Sequence, residues 1–245
     1  MHKPLTLFCL PCAGASATMY LRWRRLLPSW IAVEPVELPG RGSRMDEFPA
    51  ENYAALTQSL CDELAPSLPE RYVLFGHSMG ALLAYGVAQG LCAQQSSMPT
   101  ALLVSGCAAP SRQDSQRYIN MQSDAALIAD LSRQGGTPVE VFENQELLRM
   151  TLDLLRVDYR VCGSFEYAQL LPLSIPIHSF GGRADEISAA RLNDWRLEST
   201  QAFTLDWFDG GHFFLRQSED WFMYVLKKRL MESRAEVLSA TLASA

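Results

Sequence analysis

Four short apolar runs occupy the first half of the chain, at Leu5–Leu10, Ile31–Leu38, Tyr72–Phe75 and Ala101–Ser105, with segments of helical period between most of them. Runs such as Thr6-Leu7-Phe8-Cys9-Leu10 and Ala101-Leu102-Leu103-Val104 show no alternation of polar and apolar residues. Strands of that kind must be covered on both faces. Repeated strand–helix alternation then predicts an α/β fold, a mostly parallel sheet with helices on both faces. The helices between strands include Asn52–Leu64, stopped before Pro66, and Met79–Cys92. A chain of 245 residues with no internal repeat and no evident linker is expected to form one domain, 1–245, because sheet-centred folds of this size commonly do.

The rhythm breaks from Ser111 to about Gln169, where only helical patterns appear: Ser123–Ser132, with Ser123 as N-cap and Gly135-Gly136 as the stop, and Glu143–Cys162. In the second helix Leu147, Leu148, Thr151, Leu154, Leu155 and Asp158 fall on one stripe. Such a stripe has two readings: ordinary core packing, or a helical insertion over the upper edge of the sheet, which would shape an apolar channel. Alternation returns at Ile175–Phe180, the helical Ser188–Leu197, the strand Ala202–Phe208 and a final amphipathic helix over about Ser218–Arg234. About six parallel strands are expected, with a helical insertion at about 111–170. The Ala/Ser-rich tail Ser239–Ala245 is expected to fray, and Trp221, Phe222 and Tyr224 to pack the last helix on the sheet.

The strongest chemical signal is Gly76-His77-Ser78-Met79-Gly80, set directly between the apolar Tyr72–Phe75 and the helical Ala81-Leu82-Leu83-Ala84-Tyr85. A G-x-S-x-G sequence at a strand-to-helix junction is a nucleophile elbow. The turn is so sharp that positions two residues either side of the serine have no room for side chains. A serine hydroxyl is a weak nucleophile and requires a base, and in folds with this elbow the chain order is Ser, acid, His. Of the four histidines only His178 and His212 follow Ser78. His178 lies inside an apolar strand, whereas His212 sits in the Gly-rich loop Asp209-Gly210-Gly211-His212 and is the better base. Asp185, in the loop after the fifth strand, stands where open parallel sheets place their sites. Asp209 is its main rival, Asp206 falls within a strand, and Asp194 on a surface helix. Acyl transfer also needs donors for an oxyanion. Those expected are the backbone N–H groups of Met79, after the nucleophile, and Ala13, in the loop Leu10-Pro11-Cys12-Ala13-Gly14-Ala15-Ser16.

The 21 basic against 27 acidic side chains, net −6, with no long basic block, argue against nucleic acid as a partner. No apolar run reaches the roughly 18 residues that span a bilayer, and the N-terminal residues lack a signal peptide's long apolar stretch and cleavage site. Six scattered cysteines fit free thiols in a reducing compartment. Cys9-x-x-Cys12 has no second pair to complete a zinc site. A cytoplasmic protein, with no membrane partner, is expected.

These motifs together resemble the type II thioesterases of nonribosomal peptide and polyketide synthesis, a branch of the α/β-hydrolases. The resemblance rests on Leu10–Ser16, Glu37-Leu38-Pro39-Gly40-Arg41-Gly42, Phe75–Ala81, Ser105-Gly106 with Ala109-Pro110, Gly182 to Asp185, and Gly210-Gly211-His212-Phe213-Phe214. It implies an α/β-hydrolase fold with a helical lid and hydrolysis of acyl thioesters on the phosphopantetheine arm of acyl or peptidyl carrier domains, for editing or release. It also implies a triad of Ser78, Asp185 and His212, oxyanion donors Ala13 and Met79, and no metal or dissociable cofactor. Cys12 departs from the aromatic residue or His often found there, which bears on pocket shape. Docking is expected through an apolar patch with local arginines, among Arg112, Arg117 and Arg133, and a monomer is expected. Two other readings remain: an esterase or acyl hydrolase for free small molecules, and a non-catalytic binding module of the same fold.

Overall fold

The structure, a computed structural model, describes residues 4–243, and side chains within them as far as Ser233. Six strands, β1 (Leu5–Leu10), β2 (Ile31–Pro35), β3 (Tyr72–His77), β4 (Ala101–Ser105), β5 (Ile177–Gly182) and β6 (Phe203–Phe208), form one sheet in the order β2-β1-β3-β4-β5-β6. Every pairing is parallel. All residues of β1, β3, β4 and β5 are buried, while β2 and β6, at the edges, are only partly so. Successive residues of the inner strands feed two cores. Phe8, Leu10, Leu74 and Leu102 face one side, and Leu7, Cys9, Phe75 and Leu103 the other, as the two-residue period requires.

The strand limits differ from the sequence reading where proline intervenes. The second strand ends its pairing at Pro35, opposite Cys9, on an edge that tolerates a missing N–H. The fifth begins at Ile177 rather than Ile175, because Pro176 cannot donate to a ladder. In chain order the helices are α1 (Trp23–Leu26), α2 (Tyr53–Leu64), α3 (Met79–Ala93), α4 (Ser115–Ile119), α5 (Asp124–Gln134), α6 (Val139–Glu143), α7 (Gln145–Gly163), α8 (Ala189–Asn193), α9 (Phe214–Gln217) and α10 (Glu219–Ala243). The helix expected over Ser188–Leu197 divides into α8 and a 3-10 turn, Asp194–Glu198. That tightening buries Trp195, whose indole N–H donates to Cys107 O at 2.8 Å.

The sheet's two covers are α2 and α3 on one side and α1 with α10 on the other. Of the aromatic trio on α10 only Phe222 packs inward; Trp221 and Tyr224 are exposed and stack on each other. The final helix reaches Ala243 and so takes in most of the Ala/Ser-rich tail expected to fray; residues 244 and 245 lie outside the described residues.

Between β4 and β5 the chain is helical, from α4 through α7. The expected caps are in place: Ser123 Oγ accepts the Ala126 N–H, and Gly135 ends α5 in the left-handed region. The buried stripe of α7 is Leu152, Leu155, Asp158, Tyr159 and Cys162, rotated from the sequence reading so that Leu147 is exposed and Thr151 only half-buried. Leu152, Leu155 and Tyr159 join Leu127 and Leu131 in a small core of their own, against which Ala13 packs. Among the described residues no helix is long and apolar enough to cross a membrane.

Candidate active site

Ser78 joins β3 to α3 at φ 55° and ψ −120°, a backbone region that costs a non-glycine residue of order 1–3 kcal/mol. Its flanking glycines are there because nothing larger fits. A Cβ on Gly76 would lie 2.0 Å from Gly80 O, and a Cβ on Gly80 2.2 Å from Leu10 O. The elbow is tied to β4 by the Ser78 N–H, which donates to Ser105 O at 2.7 Å. The serine side chain thereby stands at the N-terminus of α3, where the Met79 N–H opens the helix.

The other two side chains come from loops at the carboxyl ends of β5 and β6. These loops are stitched together: Arg183 N–H donates to Phe208 O and Ala184 N–H to Gly210 O, both at 2.9 Å. The turn carrying His212 is braced by Gln217 Oε1, which accepts the Gly211 N–H at 2.8 Å. In this frame His212 Nε2 is 2.9 Å from Ser78 Oγ and His212 Nδ1 is 2.9 Å from Asp185 Oδ2. An ionised carboxylate can only accept, so Nδ1 carries the proton and Nε2 is free to accept from the serine hydroxyl. His212 and Asp185 side chains are 11% and 5% exposed, which limits competition from water.

The rivals are elsewhere. Asp209 is 90% exposed and pairs with Arg183, Asp206 is held by Arg229, and Asp194 by Arg112. His178 is buried in β5 against Thr204 Oγ1 at 2.8 Å. Burial, then the nearby Arg229 charge, lowers its pKa to about 4. His77, under the site with its ring centroid 5.0 Å from that of His212, has its pKa lowered well below the ordinary histidine value, chiefly by burial and then by the neighbouring His212 and Arg216.

Ala13 lies in a turn closed by the Ala15 N–H donating to Cys12 O at 3.1 Å, and lines a small cleft together with Ser78 and Met79. The neighbouring Cys12 thiol is pushed up to about 12, mainly by burial, so it is no thiolate at neutral pH. In front of the serine is a cavity of about 150 Å³ lined by Ser78, Met79, Asp185 and His212, and by Gln113, Arg117, Tyr118, Arg133, Gln134, Glu186 and Arg191.

Its walls are more polar than the apolar channel expected from sequence. The reason is Asp130 on α5, 2% exposed, which gathers Arg117 at 2.9 Å, Gln134 at 2.7 Å, Arg133 and Tyr159. Burial pushes the Asp130 carboxyl up, but bonds from Tyr159 and the arginines outweigh it and hold the group below its ordinary range. Arg117 and Arg133 also face Glu186, beside Asp185, and Arg112 is paired with Asp194. The three arginines expected to meet a partner are therefore each engaged by a carboxylate of this chain. Among the described residues no group of three or more His, Cys, Asp or Glu is placed to hold a metal ion.

Sequence reasoning missed the Asp130 cluster and also a second ionic contact, against the loop after β1. Arg41, from the Pro39-Gly40-Arg41 loop, and Asp158, from α7, form a buried bidentate pair. An acid within the apolar stripe of α7 was the available signal.

The thioesterase domain family matches residues 5–229. The gramicidin S biosynthesis protein GrsT of Aneurinibacillus migulanus is 33% identical over 216 residues, 88% of this chain and 84% of that protein. RedJ, a thioesterase from the prodiginine biosynthetic pathway in Streptomyces coelicolor, superposes with a TM-score of 0.86 at 35% identity, over 92% of this chain and 90% of its own. The type II thioesterase BorB of the borrelidin biosynthetic cluster gives 0.84 at 36% identity, covering 94% of both chains.

Proposed function

The chain belongs to the thioesterase domain family, and from that membership we propose that it hydrolyses acyl groups held as thioesters on the phosphopantetheine arm of carrier proteins in nonribosomal peptide or polyketide synthesis. The observation that carries this reading is the hydrogen-bonded succession Ser78, His212, Asp185 at a strained elbow.

His212 Nε2 takes the hydroxyl proton as Ser78 Oγ attacks the thioester carbonyl, and Asp185 holds the imidazole in the required tautomer and stabilises its cation. The Met79 and Ala13 N–H groups receive the oxyanion; a donor of this kind contributes about 3 to 4 kcal/mol to the barrier. The C–S bond breaks, and His212 gives the proton to the leaving pantetheine thiolate. Water, deprotonated by His212, then attacks the acyl-serine and releases the acid with regeneration of Ser78. Apart from that water, no group outside the chain and its substrate enters these steps.

The helical segment 111–170 is read as a lid on the single domain 1–245. Its separate small core and its share of the cavity wall support that assignment. The partner is an acyl-loaded acyl or peptidyl carrier domain, and the enzyme acts as a cytoplasmic monomer. The deciding experiment is intact-mass measurement of acyl-loaded carrier proteins incubated with wild type or Ser78→Ala, beside the free acyl-pantetheine thioester. Carrier deacylation by wild type, lost in the variant and slower on the free thioester, is expected. Equal rates on both substrates favour a small-molecule hydrolase. Folded protein that neither deacylates the carrier nor reacts with a fluorophosphonate refutes the catalytic reading.

A further inference from the structure

Nothing in the chemistry at Ser78 explains why a guanidinium and a carboxylate are buried together against the loop that carries Ala13. Arg41 and Asp158 are 5% and 1% exposed. Arg41 Nη2 donates to Asp158 Oδ1 at 2.5 Å and Nη1 to Oδ2 at 2.8 Å. Each also holds a backbone group of one loop: Asp158 Oδ2 accepts the Gly14 N–H at 2.7 Å, and Arg41 Nη1 donates to Ala15 O at 3.0 Å. That loop is the turn Cys12–Ala15, with Gly14 at φ 73°, the positive φ a type II turn demands at its third residue. The Ala13 N–H belongs to the Cys12–Ala13 peptide at the start of this turn, and the turn is clamped just beyond it, at the Gly14 N–H by Asp158 and at Ala15 O by Arg41.

We infer that the Arg41–Asp158 pair is a positioning pair for the oxyanion hole: α7 carries the carboxylate that, with Arg41, clamps the turn to which the Ala13 N–H belongs, so the loop attains working geometry only with the lid helix seated. The inference rests on the assignment of Ser78 and Ala13 above. Stability alone is a poor reason for such a pair, since apolar residues of similar volume often replace a buried ion pair at no loss. The two extra bonds, both to the same turn, give it a geometric role. Gly14 is also closed in by Leu155, a neighbour of Asp158 on α7: a Cβ on Gly14 would meet Leu155 Cδ1 at 3.5 Å.

The test compares Asp158→Asn, nearly isosteric, with the double variant Arg41→Met/Asp158→Leu, which removes both charges and leaves neither unpaired. Carrier deacylation gives kcat and KM, fluorophosphonate titration counts competent Ser78 sites, and thermal unfolding reports stability. In Asp158→Asn, kcat is expected to fall about 10- to 100-fold, the range for a catalytic group displaced by up to 1 Å, with KM within about threefold and full titration. In the double variant Tm is expected to return to the wild-type value while kcat stays at least about tenfold low. A merely structural pair would recover both together.

The proposal is overturned if either folded variant keeps kcat within about threefold of wild type, if kcat falls only in proportion to lost titratable sites, or if Asp158→Asn does not fold. If the double variant does not fold, the Asp158→Asn comparison decides. Wild type and Ser78→Ala are run alongside. An inactive wild type counts against the thioesterase assignment, whereas an active wild type matched by Asp158→Asn counts against the positioning role alone.

Discussion

Gly80→Ala probes the loop after β1, proposed to hold the oxyanion, from the opposite side. The new methyl would sit 2.2 Å from Leu10 O and 2.7 Å from Pro11 O, where carbon and carbonyl oxygen normally rest at about 3.3 Å or more. About 1 Å of movement is required. The N-terminus of α3 cannot supply it easily, because Gly80 O already lies 2.0 Å from where a Cβ on Gly76 would stand, so the backbone of β3 is hard against it. The loop after β1 must retreat, and it carries the Ala13 N–H three residues from Leu10. A 1 Å misplacement of a group that acts on the transition state costs about 100-fold in rate, or about 2.7 kcal/mol of barrier. Loss of an oxyanion donor outright costs about 10²- to 10³-fold, so kcat should fall about 100-fold. Helix propensity favours alanine by up to about 1 kcal/mol, which offsets part of the strain in the folded state. Single-turnover deacylation of a loaded carrier, normalised to fluorophosphonate-titrated sites, is the assay. A variant with wild-type Tm and kcat within about threefold of wild type would show that the loop after β1 does not hold the oxyanion.

Asp185→Asn removes the acceptor that fixes the His212 tautomer at little change in volume, and a loss of about 10⁴-fold in kcat is expected by analogy with other Ser-His-Asp sites; a loss under tenfold would reassign the acid. Asp209→Asn, at an exposed position paired with Arg183, should leave kcat within about twofold, since surface pairs contribute little. His178 should act on stability instead. Its pKa is lowered from 6.5 to about 4 in the fold, so the unfolded chain takes up the proton first. The stability gained by keeping the ring neutral is whole above about pH 6.5 and lost as pH falls toward 4. Near pH 5, His178→Asn should therefore reduce the slope of unfolding free energy with pH by about 1.2 kcal/mol per unit, read from urea unfolding between pH 4.5 and 6.5; an unchanged slope refutes the assignment.

The sheet and the elbow were legible for a common reason: short-range sterics wrote them. A strand buried on both faces has no polar alternation, and a serine at positive φ between strand and helix must have glycine at Gly76 and Gly80, whose missing Cβ atoms would meet backbone. His212 and Asp185 were legible because each follows a strand end in a loop of small residues, and strand ends in a parallel sheet converge. Element boundaries failed where one residue overrode the pattern, as Pro176 did at β5, and where tertiary anchoring of Trp195 tightened a helix into a 3-10 turn.

The segment between β4 and β5 was legible as helices but not as chemistry. Periodicity states which face of α7 is inward, not what lies opposite it, and Asp158 satisfies the helical spacing whether it meets water, a guanidinium or a main-chain N–H. Its partners, Arg41 and Gly14, are distant in sequence, and no local rule links them. Asp130 is similar: on an isolated helix it would pass for a solvated acid, yet it organises two arginines, a glutamine and a tyrosine over the cavity. In both cases the cost of burying a carboxylate fixes the outcome. Once α5 and α7 close over the sheet, each acid must find several donors or the helix cannot seat. The donors within reach belong to the walls and the loop of the site, so seating the helices and building the pocket are one event.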